Sequence, residues 1–368
     1  MKIAIITIVD NINYGTYLQA YATYEIIKSL GHDPIIINYT RPYISSKEVA
    51  VGYLKNTQMS LFKRLSYASF YTLLYPFMIW QVKRFLTSNV KMTPLYRNYN
   101  ELKQAPPKAD IFLTGSDQVW NSNYNNGIDE SFFLSFTKKR KYAYAASIGL
   151  NSFPIQEKEK IKKLLLEYKA ISVREHFGVE ALHNIGINNI IQVLDPTLLF
   201  TKEKWLSMIK IKKKKKENKY LLIYSVESGR NDFVLQQAKE IANKRNLKLY
   251  WVCPTYKFKR SLGVDKVYNF ASIKDFIYLF ANADFIIASS FHGTAFAINF
   301  NKEFLSVSPG KYNTRVCSLL KLCKLENRYI SDRIKTNESL TSIDYNSVNS
   351  ILNVERRNSI SYLTQICN

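Results

Sequence analysis

Cysteine and histidine are both scarce in this sequence, with four of each among 368 residues. No two cysteines form a CxxC pair and no histidine stands at metal-ligand spacing, so a structural zinc or other metal site is not expected. Four cysteines in a chain of this length also do not make the disulfide framework of a small secreted domain. The Gly-x-Gly-x-x-Gly fingerprint of dinucleotide-binding loops is absent as well.

Acidic side chains are few: 29 against 52 basic ones, which leaves a net charge of +23. This excess points to a polyanionic neighbour, namely nucleic acid, an anionic membrane surface or a phosphorylated substrate. Apart from the run "KIKKKKK" at 210–216, the lysines are scattered, so specific nucleic-acid binding is not expected. The hydrophobic share of 46% is that of a globular protein with a sizeable core.

Long hydrophobic runs are also rare. The N-terminal "MKIAIITIVD" is a short apolar strand without the features of a signal peptide, so the protein is expected to be cytoplasmic. Residues 65–82 carry no charge and just reach the length of a membrane span. Pro76 and several hydroxyl and indole groups interrupt this run and favour an amphipathic helical hairpin. A hairpin packed on the protein, a hairpin resting on a membrane and a true span remain as alternatives.

The remaining sequence alternates apolar strands with helical segments. "KIAIITIV", "TYLQAYATYEIIKSLG" and "DPIIINY" form a strand, a helix and a strand, the opening βαβ unit of a parallel sheet. A second series of the same kind follows the lysine run. We therefore predict two Rossmann-like α/β domains facing each other across a cleft, with ligands at the carboxyl ends of the strands. The predicted boundaries are an N-terminal domain at 1–209 with an aromatic-rich insertion at about 53–100, a linker at 210–219, a C-terminal domain at 220–340 and a helical tail at 341–368.

Polar residues cluster where the predicted strands of the first domain end. Asn13, Tyr14 and Gly15 precede the first helix, where they would either bind an anion or simply cap the helix. A second group contains more polar, small and aromatic residues than a turn requires, although turn chemistry alone explains part of it. That group comprises Gly115, Ser116, Asp117, Gln118, Trp120 and Asn121.

Three further positions carry candidate chemistry. Ser147 follows another strand, and Arg174 stands at a strand end, where it would grip a carboxylate or phosphate, or pair with Glu175 at the surface. His292 lies in "SSFHG", between an apolar strand at 285–288 and a helix predicted from Gly293 onward. An imidazole at such a turn is able to deliver or remove a proton near neutral pH.

Taken together, these segments resemble the polysaccharide pyruvyl transferase family. The motifs that carry the resemblance run in the family's order along nearly the whole chain: "NYGTYLQAYA", "GSDQVWN", "YAASIG", "SVRE", "LDPTLL", "SSFHGTAFAINF" and "NTRVCSLLKLCKLENR". The interval between Tyr43 and Ala109, with its aromatic insertion, contributes nothing to it.

The resemblance implies a fold like that of two-domain glycosyltransferases and an enzyme that needs no cofactor. It implies transfer from phosphoenolpyruvate to a sugar, often of a lipid-linked precursor at the cytoplasmic face of the membrane, with a pyruvate ketal as product. By similarity, His292 transfers the proton, and Arg174 and Arg315 bind the donor anion together with Ser290, Gly293 and Ser147. The polar groups of the first domain then face the acceptor. The family often has an arginine two positions before the motif histidine, where this chain has Ser290, so Arg315 or a lysine would have to compensate.

Two other functions fit parts of the same sequence. A glycosyltransferase with a nucleotide-sugar donor would keep the fold and change the donor. A non-catalytic basic protein that docks on a membrane would account for the lysine run and the aromatic insertion. The sequence does not determine the acceptor sugar or the oligomeric state.

Overall fold

The computed structural model describes residues 1–44, 46–56, 59–209, 218–226, 231–255, 262–308, 313–331 and 341–368, with only the backbone of 46–49. The chain divides into two compact units. The first unit comprises Met1–Arg174, Gly178–Gln192 and Leu363–Asn368, and the second comprises Glu175–Phe177 and Val193–Tyr362. The main division thus falls at Val193, before the lysine-rich segment predicted as the linker. Of that segment, 210–217 lie outside the described residues.

The first unit is built on a six-stranded sheet in the order β2-β1-β3-β4-β5-β6, in which every neighbouring pair is parallel. Its strands are β1 (Lys2–Ile6), β2 (Asp33–Ile36), β3 (Ile111–Thr114), β4 (Arg140–Ala146), β5 (Ala170–Val173) and β6 (Ile190–Gln192). Its helices are α1 (Tyr14–Ser29), α2 (Ser46–Lys55), α3 (Leu61–Leu73), α4 (Tyr75–Asn89), α5 (Tyr99–Gln104), α6 (Lys158–Leu165) and α7 (His176–His183), the last of which begins in the second unit. Strands β1 and β3 are buried along nearly their whole length, as the continuous apolar runs predicted.

The second unit repeats this plan with a parallel sheet in the order β12-β11-β10-β7-β8-β9. Its strands are β7 (Tyr220–Tyr224), β8 (Lys248–Val252), β9 (Lys266–Tyr268), β10 (Phe285–Ala288), β11 (Glu303–Val307) and β12 (Tyr329–Ile330). Its helices are α8 (Pro196–Leu199), α9 (Lys202–Ile209), α10 (Asn231–Arg245), α11 (Ile273–Asn282), α12 (Phe291–Asn299) and α13 (Thr314–Leu322), followed by the C-terminal α14 (Tyr345–Cys367).

Two Rossmann-like α/β units and a C-terminal helix are thus confirmed. The uncharged run at 65–82 forms most of α3 and the first half of α4. The break between the helices falls where Pro76 enters the first turn of α4. Within the described part of the chain, no helix is both long enough and apolar enough to cross a membrane. The segment at 65–82 thus belongs to two separate helices.

Candidate functional site

The junction between β1 and α1 is closed by its own hydrogen bonds. Asn13 is the N-cap of α1, and its side-chain oxygen accepts from the backbone N–H of Gly15 at 3.0 Å. The side-chain oxygen of Asn11 accepts from the backbone N–H of Asn13 at 3.0 Å. The backbone carbonyl of Asn11 accepts from the Tyr17 hydroxyl at 2.6 Å. Tyr14 is fully buried. At this junction the asparagine therefore caps the helix, which was the simpler of the two predictions.

Asp117 ties three elements of the first unit together from the loop after β3. Its φ of 74° lies in the left-handed region. Its carboxylate accepts from the Thr16 hydroxyl of α1 at 2.8 Å and from the backbone N–H of Gln118 at 2.9 Å. Its carbonyl accepts from the backbone N–H of Ser147, just after β4, at 3.0 Å. The predicted residues Asp117, Gln118 and Ser147 thus do lie together, as parts of a buried network.

The rest of the polar loop packs against the loop after β4. The side-chain amide of Asn121 donates to the side-chain oxygen of Gln118 at 2.7 Å, and the backbone N–H of Trp120 donates to the carbonyl of Ser147 at 3.2 Å. Gly149 has a φ of 64°, and a Cβ there would lie only 2.6 Å from the Gln118 side-chain oxygen. A side chain at this position would therefore displace the amide pair.

Arg174 joins this cluster from the end of β5. One of its terminal nitrogens donates to the Ser116 hydroxyl at 3.3 Å, and its backbone N–H donates to the carbonyl of Ala146 at 3.2 Å. Gly115 precedes Ser116, and a Cβ on it would stand 3.2 Å from the Cβ of Thr7. Both the arginine and the serine are buried in the first unit. The predicted pairing of Arg174 with Glu175 as an exposed surface pair is wrong, because both residues are buried.

A buried ion pair next to this cluster was missed by the sequence analysis. The Arg41 guanidinium and the Asp10 carboxylate meet at 2.8 Å, and another guanidinium nitrogen donates to the Asn125 side-chain oxygen at 2.8 Å. Asn125 in turn donates to the carbonyl of Gln118 at 2.9 Å. Burial disfavours the guanidinium charge, but the Asp10 carboxylate outweighs it and raises the pKa of Arg41 well above its usual value. No sequence motif marks this pair, since the two residues follow different strands.

In the second unit, the junction between β10 and α12 contains the "SSFHG" motif. Ser290 is the N-cap of α12, and its hydroxyl oxygen accepts from the backbone N–H of Gly293 at 3.1 Å. A Cβ on Gly293 would lie 2.7 Å from the Cβ of Ala288 and 2.9 Å from the ring of Tyr224. The first turn of α12 thus packs directly on the ends of β7 and β10, which only glycine permits.

His292 lies inside the first turn of α12, because the helix begins at Phe291. The predicted helix start at Gly293, with His292 in the turn before it, is therefore wrong. The side chain is only 3% exposed. Its Nε2 is 3.7 Å from a carboxylate oxygen of Asp195, and it makes no hydrogen bond within the part of the chain that the structure describes.

Asp195 comes from the "LDPTLL" motif and was not predicted as a site residue. It is the N-cap of α8, and one carboxylate oxygen accepts from the backbone N–H of Thr197 at 2.9 Å and from the Thr197 hydroxyl at 2.6 Å. The other oxygen is the one nearest His292. An Asp followed by Pro predicts only a helix cap. The sequence around Asp195 therefore gives no indication that a histidine lies next to its carboxylate.

Hydrogen bonds within the second unit fix α8 against α12. At the end of α12, the Asn299 amide donates to the carbonyls of Thr197 at 3.1 Å and Phe200 at 2.8 Å. Arg356 of α14 donates to the carbonyl of Leu198 at 2.7 Å and to the Asn299 side-chain oxygen at 2.9 Å. The separation of His292 and Asp195 is therefore set by three helices rather than by a loop.

Arg315 lies in the first turn of α13, also in the second unit, and is half-buried. The same helix receives the segment that follows Arg174, since the backbone N–H of His176 donates to the Ser318 hydroxyl at 2.9 Å. The two arginines predicted to bind the donor thus belong to different units, Arg174 to the first and Arg315 to the second. Among the described residues, no group of three or more His, Cys, Asp or Glu side chains is arranged to hold a metal ion.

Comparison with known proteins identifies one family. The family model for polysaccharide pyruvyl transferase matches residues 13–311. The structure is similar to a putative UDP-N-acetylglucosamine 2-epimerase from Listeria monocytogenes, with a TM-score of 0.50, 10% identity, and coverage of 99% of this chain and 90% of that chain. It is similar to the S. aureus MnaA–UDP structure with a TM-score of 0.53, 11% identity, and coverage of 95% and 86%. At such identities the likeness concerns the fold alone. No curated protein matches the sequence.

Proposed function

The chain belongs to the polysaccharide pyruvyl transferase family, and from this membership we propose that it moves the enolpyruvyl group of phosphoenolpyruvate onto a sugar of a glycan. The product is a pyruvate ketal that bridges two sugar hydroxyls, and phosphate is released. The observation that supports this reaction most directly is the buried imidazole of His292, held 3.7 Å from the Asp195 carboxylate in the first turn of α12.

The reaction requires one proton donor and two oxygen nucleophiles. A proton added to C3 of phosphoenolpyruvate makes C2 electrophilic, and the first sugar hydroxyl forms an O–C2 bond. The bond between C2 and the phosphate oxygen then breaks, and the electron pair leaves with phosphate. The second hydroxyl forms the other O–C2 bond. Of the two hydroxyl protons, one replaces the proton given to C3 and the other leaves with phosphate.

His292 is the proposed proton donor, because histidine is the side chain that most often transfers protons in enzymes. Its Nε2 makes no hydrogen bond among the described residues. Asp195 is the proposed positioning residue. Its carboxylate attracts the imidazolium cation, and its own orientation is held by Thr197. Water is largely excluded from both side chains, which strengthens this attraction.

A helix N-terminus and arginine side chains, which attract anions, are proposed to bind the donor. The N-terminal end of α12, capped by Ser290, carries a partial positive charge that suits a carboxylate or phosphate. Arg315 is the proposed cationic partner in the second unit, in the role that the family gives to an arginine at the position of Ser290. Arg174 is proposed as an anion-binding residue of the first unit. Ser147 is also proposed to bind the donor. The polar loop of Gly115–Asn121 is proposed to shape the acceptor side, where its hydrogen bonds make it a rigid scaffold.

The proposal is tested by turnover. Purified protein is incubated with phosphoenolpyruvate and a panel of synthetic and lipid-linked galactosides, and released phosphate is measured together with the mass of the ketal product. Phosphate release that depends on the acceptor, with the ketal mass, is the expected result. No turnover across the panel, combined with no thermal protection by phosphoenolpyruvate, would overturn it.

A glycosyltransferase with a nucleotide-sugar donor is the second candidate. It is favoured by the fold shared with the S. aureus MnaA–UDP structure, although 11% identity carries no more than the fold. Thermal protection separates the two proposals. Protection by UDP and none by phosphoenolpyruvate would favour the nucleotide sugar, and the reverse would favour pyruvyl transfer.

A further inference from the structure

Helices α3 and α4 expose more large apolar side chains than any other part of the described chain. Nine of the seventeen exposed large hydrophobic residues among the described ones lie between Leu54 and Trp80. The most exposed of these nine are Phe62, at 81% exposure, and Leu73, at 73%. A concentration of exposed apolar side chains in one region is typical of an interaction site in a folded protein.

The two helices are anchored in ways that leave this surface open. Helix α4 buries Met78, Val82 and Leu86, which recur at four-residue spacing and form its inner stripe. In α3 only Ala68 is buried, and the helix is held by stacking of Tyr67 on Tyr53 of α2, with ring centroids 5.0 Å apart. Helix α4 thus packs directly on the rest of the first unit, whereas α3 packs on α2 and leaves most of its own side chains exposed.

The charged side chains of these two helices are all cationic. No Asp or Glu occurs from residue 49 to residue 100, while α3 and α4 carry Lys63, Arg64, Lys83 and Arg84. The Arg84 guanidinium lies over the Trp80 ring at 5.4 Å from its centroid, so a cation and an aromatic side chain share the same patch. Exposed Trp and Phe beside Lys and Arg is the pattern of an interfacial helix on an anionic membrane.

A cavity of about 410 Å³ opens beside this patch on the flank of α4. Its walls include the apolar Pro76, Ile79 and Trp80, the cationic Lys83 and Arg84, and Asp10, whose carboxylate is paired with a buried arginine. Lys83 is partly buried and donates to the Asn38 side-chain oxygen at 2.7 Å. The two cations stand next to the exposed aromatic residues, where a phosphate headgroup would meet them.

We propose that the exposed face of α3 and α4 docks on the surface of an anionic phospholipid bilayer. Leu61, Phe62, Leu73, Phe77 and Trp80 enter the boundary between headgroups and acyl chains, and Lys63 and Arg84 contact lipid phosphates. The docking is peripheral, since α3 and α4 are separate helices of 13 and 15 residues. It is independent of the reaction proposed above.

Tryptophan fluorescence of the full chain reports on this surface directly. Of the four tryptophans, Trp80 is 54% exposed, while Trp120, Trp205 and Trp251 are fully buried. Vesicles of phosphatidylcholine with phosphatidylglycerol should shift the emission to the blue and protect it from acrylamide. Pure phosphatidylcholine vesicles should have a much smaller effect. In Trp80→Phe the quenchable component should be absent with and without vesicles.

Co-sedimentation with anionic vesicles separates the apolar contribution to binding from the electrostatic one, with one double variant and one control for each. Phe62→Ser with Leu73→Ser should weaken binding at least about tenfold, because interfacial affinity scales with buried apolar area. Its matched control is Ile155→Ser with Leu166→Ser, at residues of the first unit that are 84% and 64% exposed. Lys63→Glu with Arg84→Glu should weaken binding by about 30-fold or more. Its control is Lys108→Glu with Lys169→Glu, which changes the net charge equally.

The proposal holds if both α3–α4 variants lose vesicle binding and both controls keep it. It is overturned if the wild-type chain does not bind anionic vesicles, or if each control loses as much affinity as its partner. It is also overturned if Trp80 becomes protected with rising protein concentration in the absence of vesicles and sedimentation shows a dimer. In that case a second copy of the chain covers this face.

Discussion

The molecule contains two junctions of similar design, one in each unit, that differ in how their polar groups are used. At both, a buried parallel strand passes into a helix whose N-cap side chain accepts from a nearby glycine N–H: Asn13 with Gly15 in the first unit, and Ser290 with Gly293 in the second. Around the first junction, hydrogen bonds join Asn11, Thr16, Tyr17 and Asp117 within the protein. At the second, the His292 imidazole faces a carboxylate at 3.7 Å, beyond hydrogen-bonding distance.

Most buried polar groups in proteins have a hydrogen-bond partner, so an imidazole nitrogen without one needs a reason. A network whose groups contact one another stabilises the fold but has little capacity left to act on a ligand. A buried imidazole next to a carboxylate retains that capacity, since it can gain or lose a proton while the helices stay in place. The contrast predicts that changes at the first junction affect mainly stability, whereas changes at His292 affect mainly turnover.

The largest effect is expected for His292→Ala. Loss of a proton donor should lower turnover by about 10²–10⁴-fold, while the unfolding temperature changes little. His183→Ala is the matched control, because that histidine is exposed on α7 and should leave turnover unchanged. Phosphate release and thermal unfolding are measured for both. A folded His292→Ala protein with normal turnover would remove the contrast between the junctions.

The next largest effect is expected for Arg41→Ala in the first unit. The variant leaves the buried Asp10 carboxylate without its ion-pair partner, which should destabilise the first unit by about 3–5 kcal/mol. Urea unfolding measures this change. A double variant, Arg41→Met with Asp10→Leu, should recover much of the loss because it leaves no unpaired charge. If the single variant is as stable as the wild type, this network does not hold the first unit together.

A smaller effect is expected for Gly293→Ala. The new methyl group would lie 2.7 Å from the Cβ of Ala288, and such overpacking should cost about 1–3 kcal/mol. Gly52→Ala is the control, since among the described residues no atom beyond its chain neighbours and its own helix backbone lies within 4 Å of a Cβ there. Alanine in a helix should stabilise by about 0.5–1 kcal/mol. Equal unfolding midpoints for the two variants would show that the first turn of α12 yields to the extra methyl group.

Much of the fold could be predicted because local pattern and tertiary structure agree. The apolar runs that became β1, β7 and β10 are buried on both faces of parallel sheets. The start of α12 was misplaced because glycine is a poor helix former, so Gly293 looked like the boundary. In the structure Ser290 caps the helix, and glycine is needed inside the first turn because two strand ends lie against it.

The contacts that make the candidate site could not be predicted, because they join distant parts of the chain. Asp195 and His292 come from separate motifs, and the pattern around each explains only its own turn. The lysine run suggested a boundary, since like charges repel and stay solvated. Packing between α9 and α12, with the rings of Trp205 and Phe296 5.4 Å apart, instead places the residues before that run in the second unit.

The smallest difference, and the sharpest test of the comparison, is between the two caps. Asn13→Ala and Ser290→Ala should each cost about 1 kcal/mol of stability, since each removes one side-chain acceptor from the first turn of a helix. Only Ser290→Ala should also raise the KM for phosphoenolpyruvate, because only α12 is proposed to bind the donor. Ser290→Thr, which keeps a hydroxyl, should restore much of the lost stability and affinity. Equal KM values in the two alanine variants would mean that both caps serve the fold alone, and the donor would then depend on the arginines rather than on the end of α12.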